Sequence, residues 1–309
     1  MSIIRDVKRK AAGLCRKVMS PNSGNIKKPK NKLEEGTECG KEAEPVSRIT
    51  SGEDDFSNLA NGNRFIGTPP ILKNSVIHFL GKDNILYCEE NVRLENCNLS
   101  FKGNHSVIYL SSSRHEYKVN VSLFHDAVCY VGKDNYFNGI MNIILSEQRH
   151  LFIGARGVFS FGIWIRNADP HLVYSAETME RLNPTQSIFI GEHVWIGQSA
   201  MILKGSQIGD GSIIGAMSLV AGKRIPPNTS WGGNPVKLLR EGIFWDGSCV
   251  HTWTEEKTEK SQHYDDNRYV FKDDNMRIPY DEIDAGISEA GDAAKRLDYL
   301  LEVRNNFGC

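Results

Sequence analysis

The sequence predicts an all-β fold in which the chain winds into a parallel β-helix with three short strands in each turn. Three observations support this prediction: an unbroken six-residue repeat, glycines directly after the repeated aliphatic residues, and short apolar runs bounded by turn residues upstream. Regular repeats of this kind are typical of solenoids, in which each turn buries its apolar side chains against its neighbours. The chain has 309 residues and is 40% hydrophobic, which is enough for a sizeable core.

Aliphatic side chains recur every sixth residue through the middle of the chain. They are Ile190, Ile196, Ile202, Ile208, Ile214 and Val220, and Ile153, Phe159 and Ile165 keep the same period upstream. The glycines that directly follow four of them are Gly191, Gly197, Gly209 and Gly215. A period of six fits neither a helix nor a hairpin, but it fits a triangular coil with the aliphatic side chain inside. We expect the glycines to supply the backbone torsions of tight corners.

Residues 64–165 show a less regular, strand-like pattern. Short apolar runs such as Val107–Leu110 and Val128–Val131 are bounded by Gly, Asn and Asp. The tetrapeptide Gly-Lys-Asp-Asn occurs at Gly81–Asn84 and again at Gly132–Asn135, each time after such a run. The intervals between these glycines are irregular, so this half predicts further coils without giving their length.

Three regions follow from these patterns. Residues 1–60 form a basic N-terminal helix (1–19) and a flexible linker (20–60), residues 61–245 form the β-helix, and residues 246–309 form a C-terminal capping extension. Ten Lys or Arg and a single acid lie between Met1 and Lys32. A basic amphipathic helix is typical of elements that lie on anionic membranes or dock on partners, and a solvated tail is the alternative.

Two elements are expected in the extension, a short strand at Tyr269–Phe271 and a helix at Ala290–Val303. The extension either caps an end of the β-helix, where backbone groups would be unpaired, or borders a substrate cleft.

Cysteine spacing and hydropathy exclude several classes of protein. Seven cysteines contain no CxxC pair, which excludes a recognisable disulfide framework or zinc knuckle. No run of 18 apolar residues is present, and no apolar stretch follows the basic N-terminus as in a secretory signal. We expect a cytoplasmic protein, with peripheral contact at the inner face of the membrane through its basic tail. The net charge of −1 gives no reason to expect a nucleic-acid partner.

At its repeats the chain resembles the hexapeptide-repeat acyltransferases, in the branch of the galactoside, maltose and xenobiotic acetyltransferases and the capsular polysaccharide O-acetyltransferases. The resemblance covers residues 153–241 and is strongest at Ile190–Gly197, Ile208–Gly215 and Gly233–Arg240. It implies a left-handed parallel β-helix of hexapeptide repeats, a homotrimer, acetyl-CoA as acyl donor and a saccharide as acceptor. Two departures lie in the stretch that would line CoA: Met217 replaces a usual glycine, and Ala221–Lys223 is one residue longer than the common form.

The six-residue period breaks once, between Ile165 and Ile188. A loop that leaves a regular scaffold often carries function. Acyl transfer to an alcohol needs a base, and histidine, with an unperturbed pKa of about 6.5, suits that role. The resemblance assigns the base to His171. The residues expected to assist it are Asp169, which could orient the imidazole, and Arg166, Asn167 and Tyr174, which could hold the acceptor. A surface histidine without a role is the alternative for His171.

The remaining candidates concern the donor. By resemblance, Trp195 lies beside the CoA cleft, although packing against a neighbouring subunit would also explain an outward tryptophan. The residues expected to line CoA or to donate backbone N–H groups to the oxyanion are Gly197, Gln198, Ala216 and Asn234. Lys223, Arg224, Lys237 and Arg240 supply cations for the phosphates of CoA, with a solvated basic rim as the alternative.

These candidates predict acetyl-CoA-dependent O-acetylation of a sugar hydroxyl, on a surface or capsular polysaccharide or its precursor. Direct attack is expected, because Cys249 has no suggested histidine–acid partner for covalent catalysis. No metal is expected, because His150, His171 and His193 lack the paired spacing of zinc ligands. N-acetylation of an amino sugar and a non-catalytic β-helix scaffold remain the alternatives.

Overall fold

The computed structural model describes residues 46–52, 54, 56–271 and 279–307, so the expected helix at 1–19 lies outside the described residues. The predicted parallel β-helix of short strands is confirmed. Its first strands are β1 Ser47–Ile49, β2 Arg64–Gly67, β3 Ile71–Lys73, β4 Val76–Phe79, β5 Ile85–Cys88, β6 Arg93–Glu95, β7 Asn98–Phe101, β8 Val107–Leu110, β9 Val119–Leu123, β10 Val128–Val131, β11 Tyr136–Phe137 and β12 Met141–Leu145. The later strands are β13 Leu151–Ile153, β14 Val158–Phe159, β15 Trp164–Arg166, β16 Ile188–Ile190, β17 Trp195–Ile196, β18 Met201–Leu203, β19 Gln207–Ile208, β20 Ile213–Ile214, β21 Leu219–Val220, β22 Arg224–Ile225, β23 Ser230–Gly232 and β24 Lys237–Arg240.

Three sheets form the sides of the coil. Sheet A has the order β1-β4-β7-β9-β12-β15-β18-β21, and sheet B has the order β2-β5-β8-β10-β13-β16-β19-β22. Sheet C has the order β11-β14-β17-β20-β23-β24, and β3 pairs with β6 in an earlier turn. Neighbouring strands are parallel except at the two ends, where β1 pairs with β4 and β24 pairs with β23 antiparallel. Strand β1 therefore lies on the sheet, within the stretch that the sequence assigned to a linker.

The length of chain in each turn changes once along the coil. In sheet A, Val76 pairs with Asn98, then Asn120, Asn142 and Trp164 follow in register, a step of 22 residues each time. The next step, from Trp164 to Met201, takes 37 residues because it contains the predicted loop. Beyond the loop the step falls to 18 residues, as between Met201 and Leu219.

The repeated aliphatic side chains fill the inside of the coil, as predicted. All of the residues in the six-residue series from Ile190 to Val220 are buried in one continuous core cluster. The wider turns before the loop enclose aromatic rings instead: Phe79 stacks on Phe101 with ring centroids 4.7 Å apart, and Phe137 stacks on Phe159 at 5.3 Å. A larger turn thus encloses larger side chains, as close packing requires.

The repeat glycines lie at the corners, but the expectation that they supply unusual backbone torsions was wrong. None of Gly191, Gly197, Gly209 and Gly215 has a positive φ; the left-handed position of these corners falls on other residues, such as His193 and Ser199. Glycine is needed because the next turn passes so close. A Cβ on Gly197 would lie 2.5 Å from the backbone nitrogen of Ala216, and one on Gly209 would lie 2.6 Å from that of Pro227.

The C-terminal extension contains a short 3₁₀ helix, Val250–Thr252, and the helices α1 Glu255–Lys260, α2 Tyr280–Glu289 and α3 Ala293–Phe307. The helix expected at 290–303 is therefore present as α3. The strand expected at Tyr269–Phe271 is wrong, because these residues are a turn and irregular backbone. None of the helices in the described residues is long and apolar enough to cross a lipid bilayer.

Helices α2 and α3 cover the side of the coil rather than its end, so the capping prediction does not hold for these two helices. The outer face of sheet B carries a stacked aromatic column whose members are Tyr109, Tyr130, Phe152 and Phe189. Apolar side chains of α2 and α3, including Ile283 and Leu300, pack on this face. The buried guanidinium of Arg296 binds Asp126 of the coil at 3.0 Å. Without these helices the apolar outer face of sheet B would be exposed to water, which explains why they pack on the side of the coil.

Candidate functional site

The loop between β15 and β16 forms one wall of a groove where sheets A and B meet. The groove encloses about 400 Å³. Its lining comprises Arg166, Ala168, Asp169, Pro170, Gln186, Met201, Leu203, Lys204, Ala221 and Gly222. Three successive turns contribute to it, so the rigid coil fixes one wall and the loop supplies the other.

Asp169 is held at the base of the loop by two partners that the sequence did not suggest. Its Oδ2 accepts hydrogen bonds from Lys204 Nζ at 2.6 Å and from Asn183 Nδ2 at 3.0 Å. These bonds lower the pKa of the Asp169 carboxyl below its usual value, and the bond from Lys204 contributes more than the bond from Asn183. The expected orientation of the His171 ring by Asp169 is not found among the described contacts, because the carboxylate is bound to Lys204 and Asn183 instead.

Asn183 ties the two ends of the loop together. It donates a second hydrogen bond to the His171 carbonyl at 2.7 Å, and its Oδ1 accepts one from the backbone N–H of Val173 at 2.9 Å. Nearby, Arg181 makes a bidentate pair with Glu147, with N···O distances of 3.0 and 2.8 Å. The backbone on either side of His171 is therefore fixed by hydrogen bonds and by an ion pair to the preceding turn.

His171 lies directly after Pro170, at the rim of the groove rather than in its lining. Its side chain is exposed, and the hydrogen bond that holds the residue is to its backbone carbonyl, which leaves the imidazole accessible to a substrate. Tyr174 is also exposed and pairs with Arg181 in an antiparallel bridge across the loop, outside the groove lining.

Arg166 lies in the groove, whereas its neighbour Asn167 does not. The Nε atom of Arg166 is buried and has no hydrogen-bond partner among the described residues. Asn167 is fully buried: its Oδ1 accepts from the backbone N–H of Ser146, and its Nδ2 donates to the carbonyls of Ser146 and Arg149. The prediction that Asn167 holds the acceptor is therefore wrong, because its amide is committed to joining successive turns.

The residues expected to bind CoA lie mainly on another side of the coil. Trp195 points outward from sheet C with 40% of its side chain exposed, and its ring centroid is 6.0 Å from that of Trp245. His193 fixes Trp245 in turn. The two rings stack with centroids 3.9 Å apart, Trp245 Nε1 donates to the His193 carbonyl, and His193 Nε2 is hydrogen-bonded to the Trp245 carbonyl. The structure thus adds Trp245, a residue that sequence reasoning missed because it lies outside the repeats.

Gly197, Gln198 and Ala216 lie at the corner between sheets C and A. The N–H of Gly197 donates to the Ile214 carbonyl at 2.7 Å, so it is not available for an oxyanion, contrary to expectation. Gln198 and Ala216 are exposed. The side chains at this corner are consequently open to a ligand, although one of the two predicted backbone donors is already used.

The basic residues near the end of the coil separate into two groups. Lys237 and Arg240 are exposed on β24, in sheet C with Trp195, and Asn234 is exposed in the turn before it. Lys223 is exposed next to Gly222 of the groove lining. Arg224 instead pairs with Asp281 of α2 at 2.9 Å, and its contact with CoA stays a prediction. An acidic partner from the extension was not visible in the local sequence.

The residues that the structure describes contain no group of three or more His, Cys, Asp or Glu side chains placed to hold a metal ion. Of the described cysteines, Cys88, Cys97 and Cys129 are buried, and burial raises the pKa of Cys97 to about 11. Cys249 is exposed in the extension.

Comparisons with known proteins agree with this fold. The bacterial transferase hexapeptide family (six repeats) matches residues 187–222. A polysialic acid O-acetyltransferase of Neisseria meningitidis is 28% identical over 188 residues, which cover 60% of this chain and 86% of that protein. The crystal structure of the polysialic acid O-acetyltransferase OatWY matches with a TM-score of 0.55 and 26% identity, over 66% of this chain and 96% of that one. The polySia specific acetyltransferase NeuO has the same fold, with a TM-score of 0.56 and 23% identity, over 65% of this chain and 93% of that one.

Through its repeats and its coil the chain is similar to the hexapeptide-repeat acyltransferases, and these relatives support an acyltransferase activity. Within that class its similarity is to O-acetyltransferases.

Proposed function

We propose that this protein transfers an acetyl group from acetyl-CoA to a hydroxyl group of a sialic acid polymer or of a closely related acidic saccharide. The observation that carries the proposal is the loop at the change of coil length, which holds an accessible His171 at the rim of a groove containing Arg166. The names of the relatives supply the acceptor class, since two of them are called polysialic acid O-acetyltransferases.

His171 acts as the general base in this proposal. Its unprotonated ring nitrogen takes the proton of the acceptor hydroxyl as the oxygen attacks the carbonyl carbon of the thioester. The carbon–sulfur bond then breaks, the sugar keeps the acetyl group, and the CoA thiolate takes up the proton from the imidazolium. No covalent enzyme intermediate is required.

The groove suits an acidic sugar because its cations outnumber its acids. Arg166 and Lys204 face a single carboxylate, Asp169, which Lys204 already binds at 2.6 Å. Arg166 is therefore the cation left to bind a substrate carboxylate, and guanidinium groups bind carboxylates in bidentate geometry. Asp169 then serves to place Lys204 and the loop rather than to polarise His171.

The donor site in this proposal requires a second copy of the chain. Trp195, Lys237 and Arg240 lie on sheet C, whereas the loop with His171 leaves the corner of sheets A and B. A homotrimer that sets the sheet C face of one subunit against the loop of the next would bring thioester and base together. Lys237 and Arg240 would then bind the phosphates of CoA.

The test is a pair of substitutions with different expected kinetics. His171→Ala should lower kcat on polysialic acid by about 10²- to 10⁴-fold, the usual contribution of a general base. Because the side chain is exposed, the variant should unfold at the wild-type temperature. His263→Ala, which removes an exposed histidine of the extension, is the matched control and should retain wild-type kinetics. Near wild-type turnover of His171→Ala would contradict the assignment.

Lys237→Ala should mainly raise the KM for acetyl-CoA, since a contact with a CoA phosphate is the same in the ground state and the transition state. Release of CoA thiol, followed at varied acetyl-CoA concentration, measures both variants. A lowered kcat with an unchanged KM in Lys237→Ala would remove this residue from the donor site.

A further inference from the structure

The outer face of sheet A carries a straight column of amides that leads to the groove. Asn98, Asn120 and Asn142 occupy the same register position in β7, β9 and β12, and Trp164 occupies it in β15. We call these four residues the sheet A track. Its members are exposed or half-buried, and 40% of the Trp164 side chain is accessible.

Hydrogen bonds hold the amides of the track in line and leave part of their capacity unused. Asn120 Oδ1 accepts from the backbone N–H of Asn98 at 3.1 Å, and Asn120 Nδ2 donates to Asn142 Oδ1 at 3.2 Å. The Nδ2 groups of Asn98 and Asn142 make no hydrogen bond within the described part of the chain. Since each amide nitrogen carries two donor hydrogens, the column presents spare donors at regular intervals.

The dimensions of the track suit a chain molecule better than a single sugar. Adjacent strands are about 4.8 Å apart, so the three steps from Asn98 to Trp164 span roughly 14 Å. Hydroxyl groups of sugars bind amides, and the C–H faces of sugar rings pack on the flat face of tryptophan. A row of amides that ends on an exposed tryptophan therefore matches the alternating polar and apolar surfaces of an extended glycan.

The track is continuous with the groove. Trp164 pairs in register with Met201, which lines the groove, and Arg166, two residues further along β15, lies on the same face and also lines it. A glycan lying along the track would thus reach the groove without leaving the protein surface. A second copy of the chain is the competing occupant, but the cores of stable subunit interfaces are more apolar than this amide column.

We infer that the sheet A track binds the glycan chain on one side of the acetylated sugar, so that the protein selects a polymer over a short acceptor. This inference rests on the proposed function, since it concerns the same acceptor. It assigns to the wide turns before the loop a role in substrate binding in addition to their role as a scaffold.

The test compares polysialic acid with its dimer as acceptors. In the wild-type protein the ratio of kcat/KM for polymer to that for dimer should be well above one. Trp164→Ala and the double variant Asn120→Ala/Asn142→Ala should each lower that ratio by roughly tenfold, as expected for the loss of about 1.4 kcal/mol of aromatic or amide contact. Tyr136→Ala, which removes an aromatic ring of similar exposure (43%) from sheet C, should leave the ratio unchanged.

Binding of polysialic acid in the absence of acetyl-CoA, measured by retardation in a native gel, separates this inference from the proposed function. Loss of binding in Trp164→Ala, but not in Tyr136→Ala, supports the track even if acetyl transfer to this acceptor is absent. Unchanged binding and an unchanged ratio in both track variants would overturn it. So would a shift of these variants to a smaller species in sedimentation, which would identify the face as a subunit interface.

Discussion

Before the loop most turns of the β-helix take 21 or 22 residues, and after it each turn takes 17 or 18. The wide turns enclose stacked rings such as Phe79 and Phe101, whereas the narrow turns enclose mainly aliphatic side chains such as Ile202, with the partly buried Trp231 in the last of them. The same three-sided coil is therefore built at two sizes, and the size of the buried side chain follows the length of the turn. The groove with Arg166 and the His171 loop lie where the two sizes meet.

This position gives the two regions different tasks. Both regions stack closely enough to require glycine at some corners, such as Gly103 and Gly197, and the narrow turns provide a rigid wall for the groove. The wide turns have room for an apolar outer face on sheet B, which the C-terminal helices cover, and for the sheet A track. The long step between them, from Trp164 to Met201, supplies the extra chain from which the loop is made.

The largest effect should come from exchanging core side chains between the two sizes of turn. Ile202→Phe places a ring in a narrow turn and should lower the free energy of unfolding by about 3 kcal/mol, the upper part of the range for overpacking. Phe101→Leu removes a ring from a wide turn and should cost less, about 1–2 kcal/mol, because it leaves a cavity without forcing the coil apart. Urea unfolding followed by circular dichroism measures both. Equal costs would show that turn length does not limit the size of the core side chain.

The narrow turns were predictable from sequence because one column of aliphatic residues repeats without interruption. The wide turns were predicted as further coils but without their length, although Gly81 and Gly103 are separated by one such turn, as are Gly132 and Gly154. The first pair stacks at the corner after sheet A and the second at the corner after sheet B. Each column of glycines repeats once per wide turn, but the two columns lie at different corners. Read together along the sequence, their glycines are therefore irregularly spaced, and the repeat is not apparent.

The part of the site that could be predicted from the sequence is the loop, because it interrupts the six-residue period. The loop and His171 follow from the break in the period, but Asn183 and Lys204 join Asp169 only when the loop closes and the next turn stacks below it. Asn167 shows the opposite error. A corner asparagine that joins two turns has the same local sequence signal as one that faces a substrate, and only the stacking distinguishes them.

A second, smaller effect should show whether glycine is needed at the corners because the next turn is close or because of its backbone torsions. Gly197→Ala places a Cβ 2.5 Å from the backbone of Ala216 and should lower the free energy of unfolding by about 2 kcal/mol. Ser199→Gly, two residues on, relieves a residue with φ 56° and should be neutral or stabilising by up to about 1 kcal/mol. Thermal unfolding of the two variants beside the wild type gives the comparison. Wild-type stability of Gly197→Ala would contradict the explanation by close approach.

The smallest effect concerns His150, a buried histidine of the wide turns that lies under the C-terminal extension. Its Nε2 is 3.3 Å from Ser288 Oγ of α2, and its Nδ1 is buried without a hydrogen-bond partner among the described residues. Burial first, and then the charges of Arg296 and Arg149, lower its pKa to about 3. Between pH 6.5 and 3 the unfolded chain therefore binds a proton at His150 that the folded chain does not, and stability falls as the pH falls through this window.

His193, a buried histidine of the narrow turns, has a pKa lowered mainly by burial under Trp245 and Tyr269, so it adds to the same trend. The two histidines can be distinguished by substitution. His150→Gln keeps a polar side chain at the position but cannot be protonated, so it should reduce the loss of stability between pH 7 and 5.5 by about 1 kcal/mol. At pH 7 the variant and the wild type should differ little. Chemical denaturation at the two pH values measures the effect, and an acid dependence identical to that of the wild type would assign the sensitivity to the narrow turns and His193 alone.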